Sequence, residues 1–432
     1  MKKIRILFFI SIMMLLCLFI SACSRNTIHK EVKFSATVAL NKVEIQETKS
    51  NTINRDDQRK ERIINAQIKM YEMFSDKASG NYVISPLSIY MAFSLLHEIG
   101  SANVKKELED SFNLTSADYE FAGEVFKNMV FESYKDESSN LLSCLQLSNT
   151  IWLDSSIKAN SEPLDRLAKI YYCYAFNTDF QKHNAKANKD IREFIKSKTN
   201  GLIDKDFNID SDTLFALINT VYLKDLWNYY GDDLPKEKRN FNYTGKEELI
   251  NFLMGSYTNG QAAKSEIAQT FYTNSRMFKI NFVVAGENHT LKEAMAYDNL
   301  NYLRNNPGVE EDDDYIYFTR CIFPCFSVNG SIDIKDELTK KGLLTETFAG
   351  FTGTLYDTLI KVSGISHDAK LVVNEKGLEG AAVTIIRGAG AAAPDPKEKV
   401  YLDFNVNKEF GFYVTDNNGF IIFMGQVTNP DK

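Results

Sequence analysis

The order in which hydrophobic patterns succeed one another constrains this chain most. Ile63, Ile64, Ala66, Ile68, Met70, Tyr71 and Phe74 recur at near-helical spacing. The turn-forming stretch 75–81, with Asp76, Ser79 and Gly80, ends that helix. Tyr82–Ile84 reads as a short strand, and Pro86 then opens a second helix running to Gly100, because proline at a first turn forfeits no hydrogen bond. Val104–Phe112 is another amphipathic helix; Leu164–Tyr174 and Asn188–Ser197 also read as helices, with a strand at Leu145–Leu153. Leu214–Leu223, apolar apart from Asn219 and Thr220, has the character of a strand buried on both faces. Tyr315–Val328 and Leu359–Val373 read as further strands, and Phe410–Thr415 joins Phe420–Val427 in a hairpin turned by Asn417, Asn418 and Gly419. Helices mainly first and strands mainly later predict an α+β fold, not alternating βαβ units.

The 432 residues carry 50 Lys+Arg against 57 Asp+Glu, a net charge of −7. Mild acidity argues against nucleic acid as a partner, since phosphate neutralisation needs clustered Lys and Arg. Length alone suggests two or three domains, yet no internal repeat and no linker interrupts the chain after residue 58. The start is different. Met1–Arg5 is basic, and Ile6–Ile20 is apolar but for Ser11, shorter than the ~20 apolar residues of a spanning helix. That order reads as an export signal ending at Ala22. Ile20–Ser21–Ala22–Cys23 is similar to the bacterial lipobox, which implies cleavage before Cys23 and lipidation of its thiol, with two or more acyl chains for stable anchorage. The expected division is a signal at 1–22, a lipidated Cys23 and polar tether at 23–58, and a body at 59–432. The chain is expected to be exported and lipid-anchored to the cell membrane or outer membrane, facing outside the cytoplasm. Within the tether a short strand could form near residues 32–40.

No catalytic constellation stands out. Gly388–Ala393 matches the G-x-G-x-x-A dinucleotide fingerprint after an apolar run, but Pro394 and Pro396 end any helix before its N-terminus could hold a pyrophosphate. The five histidines show no metal-ligand spacing, so neither metal nor cofactor is expected. Cys321 and Cys325 on one strand would stand ~13 Å apart, beyond disulfide reach unless Pro324 bends the chain sharply. Buried free thiols are the expectation for these two and for Cys144 and Cys173.

The stretch Val373–Asn374–Glu375–Lys376–Gly377–Leu378–Glu379–Gly380–Ala381–Ala382–Val383–Thr384 resembles the hinge of the serpin reactive-centre loop, placed near the C-terminus as in that family. Asn81–Ser88, Leu147–Trp152, Thr199–Ile203, Leu217–Trp227, Pro324–Phe326, Ile365–Ala369 and Phe423–Pro430 resemble further serpin blocks in the same order, so the likeness covers roughly residues 60–430. It implies a serpin fold of three β-sheets with about nine helices and an exposed reactive-centre loop. It implies, too, a suicide-substrate inhibitor of serine endopeptidases, with cysteine endopeptidases as further candidates. Such an inhibitor is not an enzyme: a monomer forms a covalent one-to-one complex with its protease, and the cleaved loop then inserts into the main sheet. The alternative is a non-inhibitory binding or carrier protein of the same fold.

Carried onto this sequence, the resemblance makes Glu375, Gly377, Leu378, Glu379, Gly380, Ala381, Ala382, Val383 and Thr384 the hinge. Strand alternation turns Leu378, Gly380, Ala382 and Thr384 inward on insertion, and none is charged, so desolvation does not oppose entry into the sheet. Leu378, where Thr or Ser is usual, and Gly380, where Ala is usual, depart from the family pattern. The reactive bond falls at Ala391–Ala392, about sixteen residues past Glu375, suiting elastase-like or subtilisin-like proteases; Arg387–Gly388 is the rival for a trypsin-like one. Ser85, Asn219 and His367 match the family's shutter cluster and Trp227 the site where the loop first enters. Asp225 replaces a usual Gly, a departure with no evident bearing on inhibition.

Overall fold

The computed structural model describes residues 32–44, 53–54, 57–76, 79–130, 133–135, 141–227, 233–243, 245–350, 353–356, 359, 362, 364–378 and 397–431. Strand Phe215–Leu226 organises them. Of its twelve residues only Lys224 is less than fully buried, as expected of a strand covered on both faces. It pairs antiparallel with Leu141–Asp154 from Cys144 opposite Lys224 to Leu153 opposite Phe215. These strands lie in an eight-stranded sheet ordered Thr37–Ala39, Cys173–Thr178, Leu141–Asp154, Phe215–Leu226, Gly377–Leu378, Gly364–Asn374, Phe326–Asp333, with Ser133–Lys135 beside Leu141–Asp154.

A second sheet of six strands runs Ala263–Lys264, Ala268–Asn274, Lys279–Ala285, Phe410–Thr415, Ile421–Val427, Tyr82–Ile84. The C-terminal hairpin therefore closes against the first strand of the body, with Gly425 opposite Val83. A third sheet of five strands holds Glu398–Asn405, Tyr315–Pro324, Lys246–Met254 and Lys236–Tyr243, with Thr258–Asn259 beside Tyr315–Pro324. Helix Gln58–Ser75 starts where the Asp57 side chain accepts from Arg59 N at 2.9 Å. Its buried Gln67 bonds both ways with Ile421, tying helix to hairpin. Helix Pro86–Ile99 is buried all round except at Glu98, so it runs through the core and not over the surface. Phe34–Lys432 forms one compact unit, and Met1–Lys33, nearly all of it outside the described residues, is a separate one. The three-sheet α+β architecture agrees with the sequence reading.

Four local readings change. The helix expected over Leu164–Tyr174 is Ser161–Ile170, because Tyr172 takes a left-handed φ of +51° and turns the chain into strand Cys173–Thr178. The single strand expected over Tyr315–Val328 is two. Tyr315–Pro324 belongs to the third sheet and Phe326–Asp333 to the first, and the chain crosses at Cys325, whose N–H donates to Asn251 O at 3.1 Å. The four described cysteines beyond residue 58 are free as expected, with Cys144, Cys173 and Cys321 buried and Cys325 half-buried. The strand-rich segment from Lys236 to Ala285 has no counterpart in the sequence reading. Finally, part of the expected tether is folded: Thr37–Ala39 pairs antiparallel with Cys173–Thr178 at the edge of the first sheet.

Candidate functional site: the partly opened central sheet

Two strands of the first sheet, Phe215–Leu226 and Gly364–Asn374, run parallel and define the site. At one end they pair directly, Gly364 with Ala216, Ile365 with Leu217 and Ser366 with Ile218. At the other they do not. Gly364–Asn374 turns at Glu375 and Lys376, and Gly377–Leu378 doubles back between them as a two-residue strand. Leu378 there lies opposite Val373 on one side and Asp225 on the other. Between the two zones, residues 219–224 and 367–372 form no ladder pair with each other among the described residues. Parallel partners that separate midway leave a slot in the sheet.

Close backbone approach marks Gly377–Leu378, the expected hinge. A Cβ on Gly377 would stand 1.9 Å from the Asp225 carbonyl oxygen, so no other residue fits without displacing a strand. Leu378 is wholly buried, and its bulk is accommodated in the core. Trp227 Nε1 donates to Asn374 O at 2.5 Å, and its ring lies edge-on to Phe323 at 5.4 Å between centroids. Leu234 N donates to Glu375 O at 2.8 Å, and Lys376 N to Asn374 Oδ1 at 2.9 Å. The Glu375 carboxylate pairs with Lys236 at 3.0 Å; backbone hydrogen bonding first, and Lys236 next, hold it below the ordinary range.

Asp225 is the residue that sequence reasoning underrated. Its side chain is fully buried beside the hinge, where Oδ2 accepts from Met277 N at 2.8 Å and Oδ1 from Leu226 N at 3.1 Å. Burial raises its carboxyl despite those donors. Its departure from the family's Gly was visible in the sequence, but its pairing with Leu378 was not.

At the closed end, Ser85 N donates to His367 Nε2 at 2.9 Å, which requires a neutral imidazole with Nε2 as acceptor. Burial depresses His367 to about 4. The Ser85 hydroxyl caps helix Pro86–Ile99 by accepting from Ser88 N at 3.2 Å. Asn219 is bound elsewhere: its Nδ2 donates to Asn149 Oδ1 at 2.8 Å, and Asn149 Nδ2 to Tyr171 O at 2.9 Å. The structure thus joins Ser85 to His367 and places Asn219 in a separate chain. Asn219 Oδ1, Thr220 Oγ1 and Ser148 Oγ are buried without a protein hydrogen-bond partner. All three lie on the strands at or beside the slot, and each such group costs about 1–3 kcal/mol.

Glu379, Gly380, Ala381, Ala382, Val383, Thr384, both candidate reactive bonds (Arg387–Gly388 and Ala391–Ala392) and Cys23 lie outside the described residues. Strand Glu398–Asn405 resumes beyond them in the third sheet, parallel to Tyr315–Pro324. Among the described residues no three His, Cys, Asp or Glu side chains gather as a metal site.

The family model described as serpin, serine protease inhibitor, matches residues 64–430. Sheep (Ovis aries) corticosteroid-binding globulin is 27% identical over 375 residues, covering 84% of this chain and 83% of that protein. Human neuroserpin is 26% identical over 403 residues, covering 86% and 92%. The crystal structure of tengpin, a thermophilic serpin in its native state, aligns with a TM-score of 0.70 at 22% identity, over 91% of this chain and 100% of that one. That last likeness bears on the fold. On the strength of the match across residues 64–430, this chain is a member of the serpin family.

Proposed function

We propose that this serpin is a suicide-substrate inhibitor of serine endopeptidases, exported and held to a membrane through lipid on Cys23. The observation that carries the reading is the seat of Gly377–Leu378 between strands that pair directly only at their far end. A segment beginning there meets no direct strand pairing until it reaches Ile218 and Ser366, and extension beyond that point must part the closed end; the unpartnered polar atoms at the slot add to what insertion could relieve. The uncharged inward set Leu378, Gly380, Ala382 and Thr384 favours that course. A protease that acylates on the loop at Ala391 would be carried with it, and elastase-like or subtilisin-like enzymes suit a small residue there. Mixing the protein with elastase, subtilisin and trypsin is expected to give a complex that survives boiling in detergent with at least one. Gly380→Arg should convert the inhibitor into a substrate. Cleavage by all three with no such complex would overturn the reading.

One observation favours the carrier reading as second. A cleft of about 390 Å³ lies against the second sheet, lined among others by Tyr272, Lys279, Leu303, Arg304, Tyr413 and Asp416. It pairs aromatic walls with groups of both signs, Lys279 and Arg304 against Glu310 and Asp416, as a site for a ring-bearing polar ligand would. Burial pushes Asp416 up to about 6. A relative named for binding corticosteroid also stands among the matches. Loop cleavage separates the two readings, because an inserting loop raises the thermal midpoint sharply and a non-inserting one leaves it in place.

A further inference from the structure

The segment Phe34–Asn41, expected to be polar tether with at most a short strand, occupies a built site. The Asp190 carboxylate is 3% exposed, and it accepts from Ser35 N at 2.9 and 3.0 Å, from Ala36 N at 2.7 Å and from Ser35 Oγ at 3.0 Å. Without these donors a buried carboxylate would lose much of its compensation. The Phe34 ring meets Trp152, Phe176 and Phe194 at centroid distances of 6.1, 5.2 and 6.5 Å. Thr37 Oγ1 bonds Thr178 Oγ1 at 2.7 Å, and the Asn41 side chain joins Leu164 O, Cys173 O and Ala175 N. This is strand addition to a sheet edge, with one aromatic anchor and one carboxylate fixing the register.

The dock has a direction. Thr37 lies opposite Thr178, and Thr178 opposite Asp154, level with the Phe215 end of the central strand. The hinge residue Leu378 lies opposite Asp225 at the other end. Ten residues of strand separate Phe215 from Asp225, about 33 Å at ~3.3 Å each. The chain coming from Cys23 therefore joins the sheet at the end remote from the hinge. Eleven residues lead from Cys23 to Phe34, a reach of at most ~40 Å. A tether free to residue 58 would impose no orientation.

We propose that Phe34–Asn41 is an orienting dock: it fixes the hinge-remote end of the first sheet toward the bilayer and presents the hinge end away from it. The proposal rests on the lipid anchor at Cys23 and not on inhibition.

The test uses chains in which a hexahistidine tag replaces residues 1–23, held on phosphatidylcholine vesicles containing nickel-chelating lipid. All carry Cys325→Ser and a donor dye at either Lys182→Cys, beside the dock, or Asp233→Cys, beside the hinge; an acceptor dye sits in the bilayer. Energy transfer from Lys182→Cys should exceed that from Asp233→Cys at least about threefold, given their separation along the sheet. Two further forms carry the same flexible Gly/Ser insert of roughly twenty residues, adding about 25 Å of root-mean-square reach. Placed between Lys33 and Phe34 it should make the two transfers converge. Placed after Glu44, on the far side of the dock, it should leave them as they were. Both inserts lie outside the helices and strands of the described residues. Equal transfer from both positions in the parent, or equal effects of the two inserts, would overturn the dock. Loss of labelled-palmitate incorporation in Cys23→Ala cells supports the anchor; its absence in the parent removes the bilayer as partner and overturns the orienting role.

Discussion

The two ends of the central sheet are built from the same pair of strands and behave oppositely. At the closed end, Ala216–Ile218 and Gly364–Ser366 satisfy each other's backbone, and the neighbouring Ser85–His367 bond ties them to the N-terminus of a buried helix. At the open end, the same strands take two residues between them, held by short ladder pairing on both sides, the burial of Leu378, the Leu234–Glu375 backbone bond, one indole hydrogen bond and a partly exposed ion pair. A sheet closed by direct pairing at both ends would resist a new strand. One open at both ends would lack the packing to persist. On the proposed inhibitory reading, this asymmetry would let the sheet stay stable and still accept another strand from one end.

The open end is broken most directly by Gly377→Val. The new Cβ would overlap a backbone carbonyl that has no rotamer to retreat into, so the expected cost is at or above the ~3 kcal/mol upper range for overpacking. Leu378 should then leave the sheet. Hydrogen exchange at Leu378 should rise strongly while exchange at Ile218 and Ile365 stays slow; unchanged protection at Leu378 would refute the close-approach argument.

The closed end is broken by acid. His367 is held neutral at about 4 by burial, below its ordinary 6.5, with Asp368 pulling weakly the other way. A histidine depressed on folding contributes stability that is complete above 6.5 and is lost as pH falls from 6.5 towards 4. The side chain is only 3% exposed, so the effect amounts to roughly 3 kcal/mol. Denaturant unfolding across that window should show the loss, and His367→Gln should flatten it. Equal pH slopes in the two proteins would assign the acid sensitivity elsewhere.

Trp227→Phe is a smaller probe of the open end. It keeps a ring against Phe323 and removes the donor to Asn374 O, at an expected ~1 kcal/mol by denaturant unfolding. A loss as small as that of an exposed substitution would mean that the indole only fills space.

How much of this was legible in the sequence depends on what each residue answers to. Strand Phe215–Leu226 and helix Pro86–Ile99 were readable because burial on all sides writes itself as continuous apolar sequence. Gly377 was legible from the hinge resemblance, although its carbonyl contact was not. Lys236–Tyr243 and Lys246–Met254 escaped because their exposed faces carry Lys, Glu and Asn, which dilute alternation. Phe34–Asn41 hid for another reason. Its anchors are one ring and two backbone N–H groups, and the partner carboxylate at Asp190 lies more than 150 residues away. Asp225 was noticed as an oddity but could not be placed beside Leu378 without the register.

The smallest effect sharpens the comparison from the side of charge. Lys236 and Glu375 make the one described ion pair on the hinge turn, but their side chains are 39% and 31% exposed. Water screens such a pair, and ordering the lysine offsets part of its gain, so Lys236→Ala should cost under ~1 kcal/mol. The cost should fall further near 1 M salt, where the screening length is ~3 Å. Comparing the thermal midpoints of parent and variant at low and high salt checks both statements. The hinge is then held by backbone geometry, with charge as a minor addition. A loss of several kcal/mol that persisted in high salt would reverse that order and make the turn, not Gly377, the element that keeps the open end in place.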